Sequence, residues 1–128
     1  MIRILVVEDN LGFRDALVEL LKRQPDLEVM GTAGSLSEAR TMLQATLEET
    51  LGGMDVALLD RGLPDGDGLE FFEELRALKP ETRGYVMSAT AEMRHPWDAI
   101  EAGVDGVIEK KEAPEQVFAA IRERGGGR

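Results

Sequence analysis

Extended apolar runs alternate with segments of helical periodicity five times along this 128-residue chain, and few folds accommodate that pattern. Ile2 to Val7, Leu27 to Ala33, Met54 to Leu59, Arg83 to Ser88 and Val104 to Glu109 read as strands. Between them, Phe13, Leu17, Leu20 and Leu21 recur at helical spacing, with Asn10 as a cap and Pro25 as a stop. Leu36, Ala39, Leu43 and Leu47 form a second apolar face behind Ser35 or Ser37 as cap, and Gly52-Gly53 ends that helix. Leu69, Phe72 and Leu75, with Phe71 and Leu78, mark a third helix that stops before Pro80. Pro96 suits the first turn of a short helix ending at Gly103, and Pro114 opens a last helix with Val117, Phe118 and Ile121 inward. Met54 to Leu59 is nearly unbroken, as expected of a central strand covered on both faces, whereas the more mixed Leu27 to Ala33 suits an edge. Repeated β-α units predict an α/β fold: a parallel sheet with helices on both faces, joined by right-handed crossovers.

Polar residues sit just past four apolar stretches of these runs: Glu8-Asp9 after Ile2 to Val7, Asp60 after Met54 to Leu59, Ser88 after Tyr85 to Met87 and Lys110 after Val107-Ile108. In parallel strands of one sheet they would all emerge at the carboxyl edge, where open α/β sheets bind ligands beside the point of strand-order reversal. The result is an acidic cluster opposite one lysine and one hydroxyl. Glu8, Asp9 and Asp60 are hard oxygen ligands of the kind that hold Mg²⁺ with water and a substrate phosphate. Without a cation, two carboxylates about 4 Å apart would repel by roughly 4 kcal/mol at an effective dielectric near 20, so such a site favours a divalent ion or a retained proton. A carboxylate can also act as nucleophile and form an acyl phosphate, and Asp60 is the candidate. Lys110 and Ser88 would then neutralise and bond the phosphoryl oxygens. Taken singly, Asp9 reads as a helix cap, Asp60 and Ser88 as turn residues and Lys110 as solvated surface. Their conjunction at successive strand ends is what points to chemistry.

The chain is long enough for one domain and too short for two, so residues 1–124 are expected to form it, with 125–128 as a glycine-rich tail or the start of a linker. Twenty-five acidic against 15 basic side chains give a formal charge of -10, which would repel a nucleic-acid backbone, so direct nucleic-acid binding by this domain is not expected. The first apolar run is too short for a signal-peptide core, and no stretch approaches the roughly 18 residues of a spanning helix, so no membrane association is expected. With no cysteine there is no disulfide framework or thiolate metal site, in agreement with a cytoplasmic location.

Several independent stretches together resemble the receiver domain of two-component response regulators across essentially the whole chain. They are Val6-Val7-Glu8-Asp9-Asn10, the run from Leu58 through Asp60 to Gly68, Val86-Met87-Ser88-Ala89, and Gly103 through Lys110. The resemblance implies the flavodoxin-like receiver fold, a five-stranded parallel sheet of order 2-1-3-4-5. It implies that Asp60 is a phosphoacceptor, with Mg²⁺ held by Asp9, Asp60 and the carbonyl of Gly62 and with Glu8 acting through water. Lys110 would pair with the phosphoryl oxygens, while Ser88 moves to bond one of them. The donor would be a histidine kinase or phosphotransfer protein, the recipient of the signal a downstream protein or effector domain, and a homodimer is among the assemblies allowed.

Three departures from the family pattern stand out. Val107 occupies a usually aromatic position, so no rotating ring can report the state of Ser88. The segment from Ser35 to Gly53 is a turn or two longer than usual, either a partner surface or neutral drift. Gly62 and Thr90 lack the amide or acid that in some relatives helps water attack the phosphoryl group. Gly62 also stands where an aspartate-nucleophile phosphohydrolase, the rival reading, would carry a second acid, and an unphosphorylated interaction module would not need the intact residue set. A calcium loop through Asp65, Asp67 and Glu74 fails in register, and Gly66-Asp67-Gly68 lacks the third glycine of a dinucleotide fingerprint. His95 reads as a helix-start or surface residue, and Tyr85 and Trp97 as packing residues.

Overall fold

A computed structural model describes residues 1–49, 54–88 and 103–123. Counting only the strands of the main sheet, these are β1 (Ile2–Val7), β2 (Leu27–Ala33), β3 (Val56–Asp60), β4 (Arg83–Ser88) and β5 (Gly106–Glu109). Among the described residues the helices are α1 (Leu11–Lys22), α2 (Leu36–Glu49), α3 (Gly68–Leu78) and α4 (Pro114–Arg122). All strand pairs in the sheet are parallel and their order is β2-β1-β3-β4-β5, as expected. The chain leaves β1 for β2 on one side and returns to β3 on the other, so strand order reverses between β1 and β3. A two-residue antiparallel ladder, Gly62–Leu63 against Gly66–Asp67, shapes the loop after β3.

Period-two alternation divides the strand side chains between two cores. Ile4, Val6, Val56, Leu58, Tyr85 and Met87 pack with Leu17 and Leu21 of α1 and Val117, Phe118 and Ile121 of α4. Leu5, Val7, Ala57 and Leu59 point the other way, onto Leu36, Ala39 and Leu43 of α2 and Phe71, Phe72 and Leu75 of α3. The central strand β3 is buried at every position, which is why its sequence reads as an apolar run.

Short polar side chains satisfy the starts of α1, α2 and α3. Asn10 Oδ1 accepts the Phe13 N–H at 2.9 Å, as expected, and Pro114 opens α4. Ser35 is the cap of α2, its Oγ accepting the Glu38 N–H at 3.1 Å. The Leu36 and Ser37 N–H groups of the same helix donate to the two carboxylate oxygens of Asp65, at 2.7 and 3.0 Å. Asp67 caps α3 through Leu69 N–H at 3.0 Å and also pairs with Arg61 at 2.9 Å.

Two strands begin later than their apolar runs suggest, for one shared reason. β3 starts at Val56 instead of Met54 and takes in Asp60, while Asp55 at its entrance accepts the Arg3 N–H through its carboxylate at 2.9 Å. β5 starts at Gly106 instead of Val104, and there Asp105 Oδ2 accepts the Gly84 N–H at 2.8 Å. In both cases a side-chain carboxylate replaces a backbone carbonyl of the ladder. Leu78 also departs from expectation: at 55% exposure it lies off the buried face of α3. The side chain of Leu47, the Gly52-Gly53 stop, the helix from Pro96, the side chains of Thr90, His95 and Trp97, and the tail at 125–128 lie outside the described residues.

Candidate functional site

The carboxyl edge of β1, β3 and β5 brings Glu8, Asp9, Asp60 and Lys110 together. Glu8 follows β1 directly and is 0% exposed; Asp60 is the last residue of β3 and is 2% exposed. Asp9 stands at the solvent side. One carboxylate oxygen from each of the three acids lies within 4.8 Å of the others. From the far side Lys110 Nζ reaches in, 3.0 Å from Glu8 Oε1 and 3.4 Å from Asp60 Oδ2.

Local backbone geometry sets each of these side chains. Glu8 Oε2 accepts the Asn10 N–H at 3.0 Å, and Asp60 Oδ1 accepts the Gly62 N–H at 3.2 Å. Arg14 donates to the Glu8 carbonyl at 3.2 Å, tying the first turns of α1 to the end of β1. Lys110 N–H donates to the Ser88 carbonyl at 2.9 Å, so the ends of β4 and β5 are joined at the level of the site. Asp60 is paired with Met87 in the sheet, which puts Ser88, 1% exposed, one residue further along β4. Gly62 is exposed in the adjoining ladder. Val107 packs against Leu69 and Val86, a small apolar contact in place of a ring.

Electrostatics of this arrangement are dominated by burial. It pushes the Glu8 carboxyl up to about 7; the Asn10 N–H and the Lys110 ammonium pull the other way, and neighbouring Asp60 adds to the rise. Burial also works against the Lys110 ammonium, but the paired carboxylates of Glu8 and Asp60 outweigh it and hold Lys110 above the ordinary lysine value. Glu8 Oε1 is sealed from solvent, with the Lys110 ammonium beside it at 3.0 Å. A buried carboxylate is costly unless a cation or donor completes it, and here the lysine does so. Three convergent carboxylates fit a small hard cation such as Mg²⁺.

Sequence reasoning missed two contributors. Asp65 was legible only as a turn former, because the helix it caps begins 29 residues earlier. In sequence Gly68 is one more turn-forming glycine, yet its lack of a side chain is what allows α3 to start against the end of β3. A Cβ there would lie 2.2 Å from the Asp60 carbonyl oxygen, a backbone atom that cannot rotate away. Gly68→Ala is therefore expected to lower stability by about 1 to 3 kcal/mol. Urea denaturation checks this, and an unchanged midpoint would show that the loop relaxes freely.

Comparison with known proteins agrees with this fold. A family model described as the response regulator receiver domain matches residues 4–122. The chain is 34% identical over 128 residues to the DNA-binding transcriptional activator DevR/DosR of Mycobacterium tuberculosis, covering 100% of this chain and 56% of that protein. It is 39% identical over 79 residues to protein-glutamate methylesterase/protein-glutamine glutaminase 1 of Caulobacter vibrioides, covering 62% of this chain and 21% of that protein. The chain thus spans about half, or about a fifth, of the length of these curated relatives. Among solved structures, a CheY-like receiver domain protein from Methanospirillum hungatei superposes with a TM-score of 0.79 at 27% identity, covering 96% of this chain and 92% of that one. The response regulator domain of CheB from Thermotoga maritima superposes with a TM-score of 0.80 at 25% identity, covering 97% and 96%.

Proposed function

Because this chain belongs to the response regulator receiver domain family, we propose that Asp60 is its phosphoacceptor and that Glu8, Asp9, Lys110 and Ser88 serve that one reaction. The observation that carries this reading is the buried Asp60 carboxylate, placed at the strand-order reversal and within 3.4 Å of the Lys110 ammonium. Asp9, Asp60 and the Gly62 carbonyl would hold Mg²⁺, with Glu8 acting through water. When bound, the ion neutralises charge on the phosphoryl oxygens.

The donor class is a phosphohistidine, on a histidine kinase or phosphotransfer protein. A carboxylate oxygen of Asp60 attacks phosphorus, the new O–P bond makes an acyl phosphate, and the P–N bond breaks with its electron pair going to the imidazole, which takes up a proton. Lys110 balances charge on the oxygens of the transferring group, and the Ser88 hydroxyl donates to one of them. Movement of Ser88 toward that oxygen would shift the carboxyl end of β4. The modification would thereby bias two conformations read by a downstream protein or effector domain, for which about 1 to 3 kcal/mol of coupling is enough. With Val107 packed on Leu69 and Val86, the switch would work without ring rotation.

Intact-mass measurement after incubation with phosphoramidate and Mg²⁺ tests the proposal: one phosphoryl group is expected, and none when the metal is chelated. Sustained turnover of phosphomonoesters would instead identify a phosphohydrolase. The adduct should also be long-lived, because Gly62 offers no side chain to orient an attacking water. Its decay in purified protein is expected to take minutes or longer, and loss within seconds would count against that account.

A further inference from the structure

We propose that Phe13 is a positioning residue for the phosphorylation reaction, holding the Lys110 ammonium over its ring so that the lysine stays aimed at Asp60 as the carboxylates around it change partners. This rests on the reading of Asp60 as phosphoacceptor. Lys110 Nζ lies 5.2 Å from the centroid of the Phe13 ring, inside the range in which a cation is attracted to the ring face. The ring itself has little freedom. Its residue sits in the capped first turn of α1, with its N–H on Asn10 Oδ1, and the side chain is half-buried against the core shared by α1, α4 and the sheet.

The need for such a support follows from the other contacts of Lys110. Its two close partners among the described residues, Glu8 at 3.0 Å and Asp60 at 3.4 Å, are the groups expected to be engaged by a cation and by the incoming phosphoryl group. A lysine stem is long and flexible, so when those carboxylates are drawn away the ammonium can swing into solvent. The ring face is chemically unchanged by metal binding or phosphorylation. It attracts the ammonium as a point charge and supplies no competing acceptor, leaving the N–H donors to the carboxylates and then to the phosphoryl oxygens.

Variants that separate the ring face from simple apolar bulk test this. Phe13→Leu keeps a buried hydrocarbon and removes the face, whereas Phe13→Tyr keeps it. With phosphoramidate and Mg²⁺, Phe13→Leu is expected to be phosphorylated roughly 2- to 30-fold more slowly than the parent, the range that a cation-aromatic contact spans. Phe13→Tyr should stay within about twofold, and Mg²⁺ affinity by calorimetry should be the same in all three. Independently of reactivity, the Lys110 Hε resonances should be shifted upfield by the ring current in the parent and in Phe13→Tyr, and should lose that shift in Phe13→Leu. Equal rates for Phe13→Leu and the parent, equal slowing by both substitutions, or Hε resonances at their ordinary position in the parent would overturn the proposal. If no form is phosphorylated at Asp60, the functional reading fails, and the resonance shift alone decides whether the ring holds the lysine.

Discussion

Asp60→Asn is expected to abolish uptake of a phosphoryl group from phosphoramidate in the presence of Mg²⁺, with the parent gaining one group under the same conditions. An amide of nearly the same shape can still accept the Gly62 N–H, so the loop after β3 has no reason to move. What is lost is the nucleophile, since an amide oxygen does not displace a phosphoramidate nitrogen at neutral pH. Lys110→Ala should leave the nucleophile in place but slow the reaction by roughly 100-fold or more, the usual cost of removing a preorganised donor from developing charge. Intact-mass time courses measure both. A persisting adduct on Asp60→Asn would locate the acceptor elsewhere, and an unimpaired Lys110→Ala would show that the lysine only neutralises the resting site.

Stability of the metal-free protein should fall as pH rises through the range in which Glu8 titrates. Its folded carboxyl is raised from 4.5 to about 7, so between those values the native state holds a proton that the unfolded chain has released. The contribution is therefore fully present below about 4.5 and is lost as pH rises through about 7, amounting to about 3 kcal/mol at most. The half-buried Asp26 and the exposed Asp65 and Glu74 run the other way. Hydrogen bonds from Arg122, from the Leu36 and Ser37 backbone and from Arg40 hold them below the carboxylate range, so their contributions disappear only as pH falls through more acidic values. Lys110, held high, acts only in the alkaline region. Urea denaturation at pH 5 and pH 8 in chelator should show the difference, and Glu8→Gln should erase it. Saturating Mg²⁺ should flatten or reverse it, because ligand binding to the ionised site stabilises the native state most where the carboxylates are charged. A metal-free protein equally stable at both pH values would mean that Glu8 is solvated or otherwise compensated.

Much of this was legible locally. Strand number, the buried character of Val56 through Leu59, the inward faces of α1 and α4, and the Asn10 and Pro114 helix starts follow from periodicity and from side chains acting on their own neighbours. The placement of Glu8, Asp60, Ser88 and Lys110 at strand ends is likewise a property of a residue and the run before it. Strand starts were not legible, because apolar character continues through Met54 and Val104 while Asp55 and Asp105 divert the ladder into side-chain hydrogen bonds.

The amino-acid sequence by itself determined which residues lie at the sheet edge and which chemistry they offer. Only the tertiary structure decided that Lys110 lies between Glu8 and Asp60, that Phe13 lies beside its ammonium, that Asp65 caps a helix 29 residues away and that Gly68 abuts the Asp60 carbonyl. The physical reason is that those contacts depend on strand order and register, which place residues distant in the chain within a few ångströms of one another and which no local pattern encodes.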